Sequence, residues 1–254
     1  MISNNKKRLI QQLTVKKQRD TQQRFIAEGV KLVGDLLRGG LKPCYITGYA
    51  ETLREMDVEK CCRDVAECSE AEMKSVSLLK TPSPVLAIFE KPLPPDISSR
   101  PNDLTLILDE VQDPGNLGTI IRVADWFGIR NIICSKTCAD AFNPKVVQAT
   151  MGALARVRVA ETDLEAYLAH NADSWKLPIY GTFLEGENIY TSKLTSEGFI
   201  IMGNEGKGIS NALARYVSNK LFIPNYPIGT ISSESLNVAT ATAIVVSEFR
   251  RPRG

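Results

Sequence analysis

The sequence predicts two α/β units joined by a stiff linker, the second built around a mainly parallel sheet, and three observations carry that prediction. Strand-sized apolar runs alternate with helix-periodic stretches from residue 104 onward, the signature of strands crossed over by helices. Four of the thirteen prolines fall within Lys91-Pro92-Leu93-Pro94-Pro95-Asp96-Ile97-Ser98-Ser99-Arg100-Pro101, which suits neither a helix nor a central strand. The longest apolar runs, Leu104-Thr105-Leu106-Ile107-Leu108 and Phe199-Ile200-Ile201-Met202, are strand-sized and far below the roughly 20 residues that span a bilayer. The expected division is therefore 1–90, a Pro-rich linker over 91–102, and a larger domain over 103–254.

In the first domain, helical spacing over 6–18, 30–37 and 71–75 alternates with strand-like pieces at 25–27, 43–47, 65–66 and 85–89, a small α/β/α unit. In the second, strands are expected at 104–108, 131–134, 157–159, 179–180, 199–202 and 220–223. Helices are expected near 145–151, 164–170, 212–217 and 236–249, with a further one where Ile120, Ile121, Val123, Ala124 and Phe127 recur after a turn. Sheets of this kind bind ligands at the carboxyl ends of their strands.

Composition narrows the function. With 43% hydrophobic and 24% charged residues the chain is globular, which excludes disordered and collagen-like classes. Its six cysteines form no C-x-x-C pair and His170 is the only histidine, so no metal site is expected and the thiols read as reduced. A Cys–His nucleophile pair with His170 is outweighed by a plain surface-helix reading. The N-terminus lacks an apolar secretory segment, and a cytoplasmic location is expected. Net charge is +2, yet residues 1–42 hold ten Lys/Arg against three Asp/Glu. Such a basic end fits a polyanionic partner or, equally, a solvated helix face.

Three stretches follow predicted strands. Asp113-Pro114-Gly115-Asn116-Leu117-Gly118, with Arg122 beyond it, is a glycine-bearing strand-to-helix turn without the dinucleotide fingerprint G-x-G-x-x-G. Gly203-Asn204-Glu205-Gly206-Lys207-Gly208 is not a P-loop, because Lys207 precedes the last glycine. Its three glycines in six residues exceed what a turn needs. The third runs from Ile223-Pro224 to Ser235-Leu236-Asn237-Val238 and enters an Ala-rich helix. A helix cap accounts for Ser233 or Ser235, but not for Asn237, which reads as lying inside the first turn.

Taken together and in this order, the three stretches resemble the motifs of the SpoU/TrmH-type RNA 2′-O-ribose methyltransferases of the SPOUT superfamily, over about residues 104–250. Residues 1–90 look like that family's ribosomal-protein-like RNA-binding domain, through Arg24-Phe25-Ile26-Ala27-Glu28-Gly29 and Thr81-Pro82-Ser83-Pro84-Val85-Leu86-Ala87. The resemblance implies a C-terminal α/β trefoil-knot domain, S-adenosyl-L-methionine as cofactor, and a homodimer with its active site near the interface. It implies Arg122 as the central catalytic residue with Asn116, Glu205, Ser235 and Asn237 around it, and Thr182, Gly203, Ile223 and Leu236 as cofactor contacts. The loop over 225–234 reads as longer than is common in the family.

RNA binding is expected of Lys16, Lys17, Arg19 and Arg24, with Arg250, Arg251 and Arg253 adding to it. The substrate expected is ribosomal RNA, with transfer RNA as the alternative. A catalytically silent RNA-binding assembly factor is the competing reading from another class, and a dehydrogenase fails on the missing fingerprint.

Overall fold

The computed structural model describes residues 1–227 and 235–252, which divide into two compact units. The first comprises Met1–Leu93 together with Asp140–Arg156, a segment lying inside the span 103–254 that the sequence assigns to the larger domain. The second comprises Pro94–Ala139 and Val157–Gly254.

The first unit opens with helices α1 (Asn4–Gln12) and α2 (Lys16–Gln22). The helical spacing over 6–18 is thus broken, because Val15 adopts extended backbone, φ −97° and ψ 128°. Then come β1 (Arg24–Glu28), α3 (Val30–Arg38), β2 (Pro43–Gly48), α4 (Ala50–Glu55), β3 (Val65–Glu67), α5 (Glu70–Val76) and β4 (Val85–Glu90). The sheet order is β1-β4-β2-β3, with β4 antiparallel to both neighbours and β2 parallel to β3. Helix α5 starts on a capping box, in which Ser69 and Glu72 satisfy each other's backbone N–H groups. Ile10, Leu13, Met73, Leu86 and Ile88 pack into the core beneath.

The second unit begins with β5 (Leu104–Leu108), all five residues buried, followed by α6 (Pro114–Trp126) and β6 (Asn131–Ser135). Helix α7 (Pro144–Thr150) belongs to the first unit, where Phe142 packs against Phe25 with ring centroids 5.1 Å apart and the rings tilted by 49°. The second unit resumes with β7 (Arg158–Thr162), α8 (Leu164–Trp175), β8 (Ile179–Asn188), β9 (Gly198–Met202), α9 (Asn211–Ala214), β10 (Asn219–Phe222) and α10 (Val238–Arg250). The sheet order β10-β8-β9-β5-β6-β7 is parallel throughout. Buried on both faces, its strands are near-continuous apolar runs. Strand β9 lies between β8 and β5, so the chain reverses its direction of growth across the sheet at β5, where ligands of open α/β sheets bind. His170 is exposed on α8, as its surface reading expects.

Candidate active site

The three motif stretches lie at the carboxyl ends of β5, β9 and β10, all within the second unit. The first holds its shape through a helix cap. Asp113 Oδ1 accepts from the Asn116 N–H at 2.8 Å and Pro114 occupies the first turn, where its missing N–H costs nothing. That cap directs the Asn116 side chain into the loop cluster.

The second stretch is a tight reversal. Asn204 and Gly208 exchange backbone hydrogen bonds at 2.9 Å each, and the Asn204 side chain accepts from the N–H groups of Gly206 and Lys207. Gly203 has no room for a side chain, since a Cβ there would stand 2.2 Å from the Gly208 carbonyl carbon. Gly208 has a φ of +70°, which only glycine adopts without strain. Half-buried Glu205 is presented at the tip.

In the third stretch the helix cap differs from the expected one. Asn237 itself caps α10, its Oδ1 accepting from the N–H groups of Ala239 at 3.0 Å and Thr240 at 3.2 Å. The helix begins at Val238, so Asn237 stands before the first turn, where asparagine is among the preferred residues. Its Nδ2 remains available and donates to Asn116 Oδ1 at 2.8 Å, while Asn116 Nδ2 donates to Glu205 Oε1 at 2.8 Å. One carboxylate and two amides thereby join the three loops into a single directional chain.

Arg122 and Ser235 are exposed and have no hydrogen-bond or ion-pair partner among the described residues. Arg122 lies two helical turns beyond Asn116 on α6, and one turn before Trp126, which is 85% exposed. Gly203 and Ile223 directly follow β9 and β10, and Leu236 precedes α10. Thr182 lies inside β8 instead of after it, because that strand continues to Asn188, although its pairing with β10 shifts register between Gly181 and Glu187. The backbone groups of Gly203, Ile223 and Leu236 take no hydrogen-bond partner among the described residues, and the Leu236 side chain is 45% exposed. Backbone groups without partners among the described residues, beside the ends of β9 and β10 and the start of α10, fit a nucleoside-type cofactor. Residues 228–234, most of the long loop read from the sequence, lie outside the described residues, as does Arg253.

Sequence reasoning passed over two residues that build the site. Asp109, 5% exposed at the end of β5, accepts from the Ser210 N–H at 2.8 Å, and Asn204 Nδ2 donates to the Glu110 carbonyl at 2.9 Å. Both tie the second loop to the first. An acidic residue immediately after a fully buried, mostly apolar strand is the available signal. At the same strand end Cys138 donates to the Leu108 carbonyl at 3.2 Å, and a hydrogen bond from Cys134 pushes the Cys138 thiol down to about 7.

Of the expected RNA contacts, Lys17 is exposed and free of ion pairs among the described residues, Lys16 pairs with Asp20 at 3.2 Å, and Arg24 is half-buried at the start of β1. Arg19 must be withdrawn. It is 1% exposed, with Nη2 2.6 Å from Asp140 and Nη1 donating to the Leu13 carbonyl at 2.9 Å, so it cannot meet a phosphate. Arg250 is likewise engaged, pairing with Asp103 at 2.8 Å, and Arg251 pairs with Glu248.

Residues 103–247 match the family model of the SpoU rRNA Methylase family, and residues 4–87 match that of the MRM3-like substrate binding domain. The chain is 33% identical to a 23S rRNA (guanosine(2553)-2′-O)-methyltransferase of Bacillus subtilis, over 94% of this chain and 93% of that protein. A TrmH-family structure from Porphyromonas gingivalis superposes with a TM-score of 0.89 at 41% identity, covering 99% of each chain. An AdoMet-bound rRNA methyltransferase from Sinorhizobium meliloti does so with a TM-score of 0.84 at 32% identity, covering 99% of this chain and 96% of that one.

Proposed function

The chain belongs to the SpoU rRNA methylase family, with its α/β trefoil-knot (SPOUT) fold, and from that premise we propose that it is an enzyme that transfers a methyl group from S-adenosyl-L-methionine to a ribose 2′-hydroxyl of ribosomal RNA. The observation that carries this reading is the chain of hydrogen bonds Asn237 to Asn116 to Glu205, which gathers the ends of three motif loops at one edge of the sheet. A binding module has no need of it.

The cofactor, when bound, supplies an electrophilic methyl group. Thr182, Gly203, Ile223 and Leu236 would hold it, largely through backbone groups. The residues of this chain must then align a weakly acidic hydroxyl with that methyl and favour loss of its proton. Arg122 is the proposed central group. Its guanidinium stays protonated, with a pKa above about 12, so it serves as a fixed cation that orients the ribose and a neighbouring phosphate. The proton passes to phosphate or water. Asn116 and Asn237 position the substrate, Ser235 hydrogen-bonds near the reacting oxygen, and Glu205 anchors the loop.

We also propose that the enzyme is a homodimer. Support comes from α6, on which Arg122 and Trp126 lie exposed one turn apart without a partner among the described residues, as residues of a shared site would before assembly. Lys17 and its basic neighbours in the first unit are proposed to meet RNA phosphates, and the cytoplasm is the proposed compartment. The test is methyl transfer from labelled S-adenosyl-L-methionine to unmodified ribosomal and transfer RNA. Label entering ribosomal RNA is expected; label entering transfer RNA alone would refute the substrate assignment.

A further inference from the structure

The first unit contains a cavity of about 230 Å³ lined by Ile26, Glu28, Leu78, Leu79, Pro144, Lys145 and Gln148, none of which belongs to the methyl-transfer site described above. Three elements make it: β1, the segment after α5, and the start of α7. Its chemistry is divided. Ile26, Leu78, Leu79 and Pro144 supply apolar walls, and Leu78 is 40% exposed.

The polar part is unusual for so small a space. Glu28 is 3% exposed, and its carboxylate accepts from Ser77 Oγ at 2.5 Å, the Leu78 N–H at 2.9 Å and the Ser83 N–H at 3.1 Å. A carboxylate has about four acceptor positions, so one is left over. The lining also carries two donors on α7, the Lys145 ammonium and the Gln148 amide, and neither side chain has a hydrogen-bond or ion-pair partner among the described residues. Lys145 is exposed, which places its charge where a polyanion can reach it.

We propose that this cavity takes one unpaired nucleobase of the RNA, guanine, between its apolar walls, with the spare position on Glu28 accepting one of the base's N–H donors and Lys145 and Gln148 donating to its acceptors. The inference rests on the reading of the chain as an RNA methyltransferase. Drug-sized ligands occupy pockets of about 300–1,000 Å³, and this smaller volume suits a single planar base. RNA is read in sequence mainly through splayed-out bases gripped by side chains on their faces and edges. Guanine answers both polar sides at once, since one of its two neighbouring donors, N1–H or the exocyclic amine, meets the single spare position on Glu28 while the adjacent O6 and N7 accept from the two donors. A purely apolar occupant would leave the spare acceptor and two donors unmet.

The experiment is a titration of the full chain, with labelled leucine methyl groups, by each of the four nucleoside 5′-monophosphates and by ribose 5-phosphate. Guanosine monophosphate should give saturable shifts of Leu78 and Leu79, binding about tenfold more tightly than the other three. The Lys145→Ala/Gln148→Ala double variant, unchanged in melting temperature, should lose those shifts. A second variant, Leu79→Trp, should block the cavity from within. Equal shifts with ribose 5-phosphate, tighter binding of another base, no saturable shift with any nucleotide, or an unaffected double variant would each overturn the proposal. None of these outcomes depends on methyl transfer, so guanosine monophosphate binding with no methylation of RNA would refute the proposed function and leave the base site standing.

Discussion

Asn237 donates from Nδ2 to Asn116 Oδ1 across 2.8 Å, while the same side chain caps α10 through Oδ1. One amide thus performs two separable tasks. Asn237→Asp keeps the cap acceptor and removes the donor, so stability should hold within about 0.5 kcal/mol while methyl transfer falls about tenfold. Asn237→Ala loses both and should also unfold about 1 kcal/mol more readily. Denaturant titration beside single-turnover kinetics separates the two tasks, and equal effects of both variants on stability would contradict the division.

Arg19 and Asp140 form a nearly buried ion pair within the first unit, with side-chain exposures of 2% and 11%. Removing one partner strands the other, so Arg19→Met should cost about 3–5 kcal/mol in chemical denaturation. The double change Arg19→Met/Asp140→Leu should recover most of that loss. If Arg19→Met were as stable as wild type, the pair would have no structural role.

The pair also decides how RNA binding should be tested. Deleting residues 1–90 would strip Asp140–Arg156 of the unit it packs into, so charge reversal in the intact chain is the sounder probe. Lys16→Glu/Lys17→Glu should weaken RNA binding and flatten the log–log slope of its salt dependence by about 0.7 for each phosphate no longer neutralised. A salt slope equal to wild type would remove these residues from the interface.

Trp126, 85% exposed on α6, lies one turn from Arg122, so the proposed homodimer can be tested there. Trp126→Glu should leave secondary structure intact, yield a monomer in sedimentation velocity and lose activity with it. A fully active monomer would contradict a shared site.

Much of the fold is legible in the amino-acid order, and where it is not the reason is physical. The run Leu104–Leu108 reads as a buried strand because every residue is buried on both faces of the sheet. Strand β8 is legible only at Ile179 and Tyr180, since its continuation through Glu185, Gly186 and Glu187 is exposed, and its far end is held by the pairing of Glu187 and Asn188 with β10 rather than by local preference. The break at Val15 lets Arg19 reach the Leu13 carbonyl, a tertiary interaction invisible to helical spacing. The membership of Asp140–Arg156 in the first unit is likewise tertiary, resting on Arg19 with Asp140 and Phe25 with Phe142. At the site, the motifs point to Asn116, Glu205 and Asn237, and the structure joins them by hydrogen bonds. Chemistry at Arg122 is legible only through the joint pattern, because alone it is one more exposed arginine on a helix.

The central claim is that Arg122 makes a ribose hydroxyl reactive beside the Asn–Glu chain. Its most direct test is nucleoside mass spectrometry on ribosomal RNA digested after incubation with wild type or Arg122→Ala and S-adenosyl-L-methionine. A 2′-O-methylnucleoside formed by wild type, and reduced at least about 100-fold in the variant, is the predicted result. A methyl group on a base, or equal product from both proteins, would contradict it.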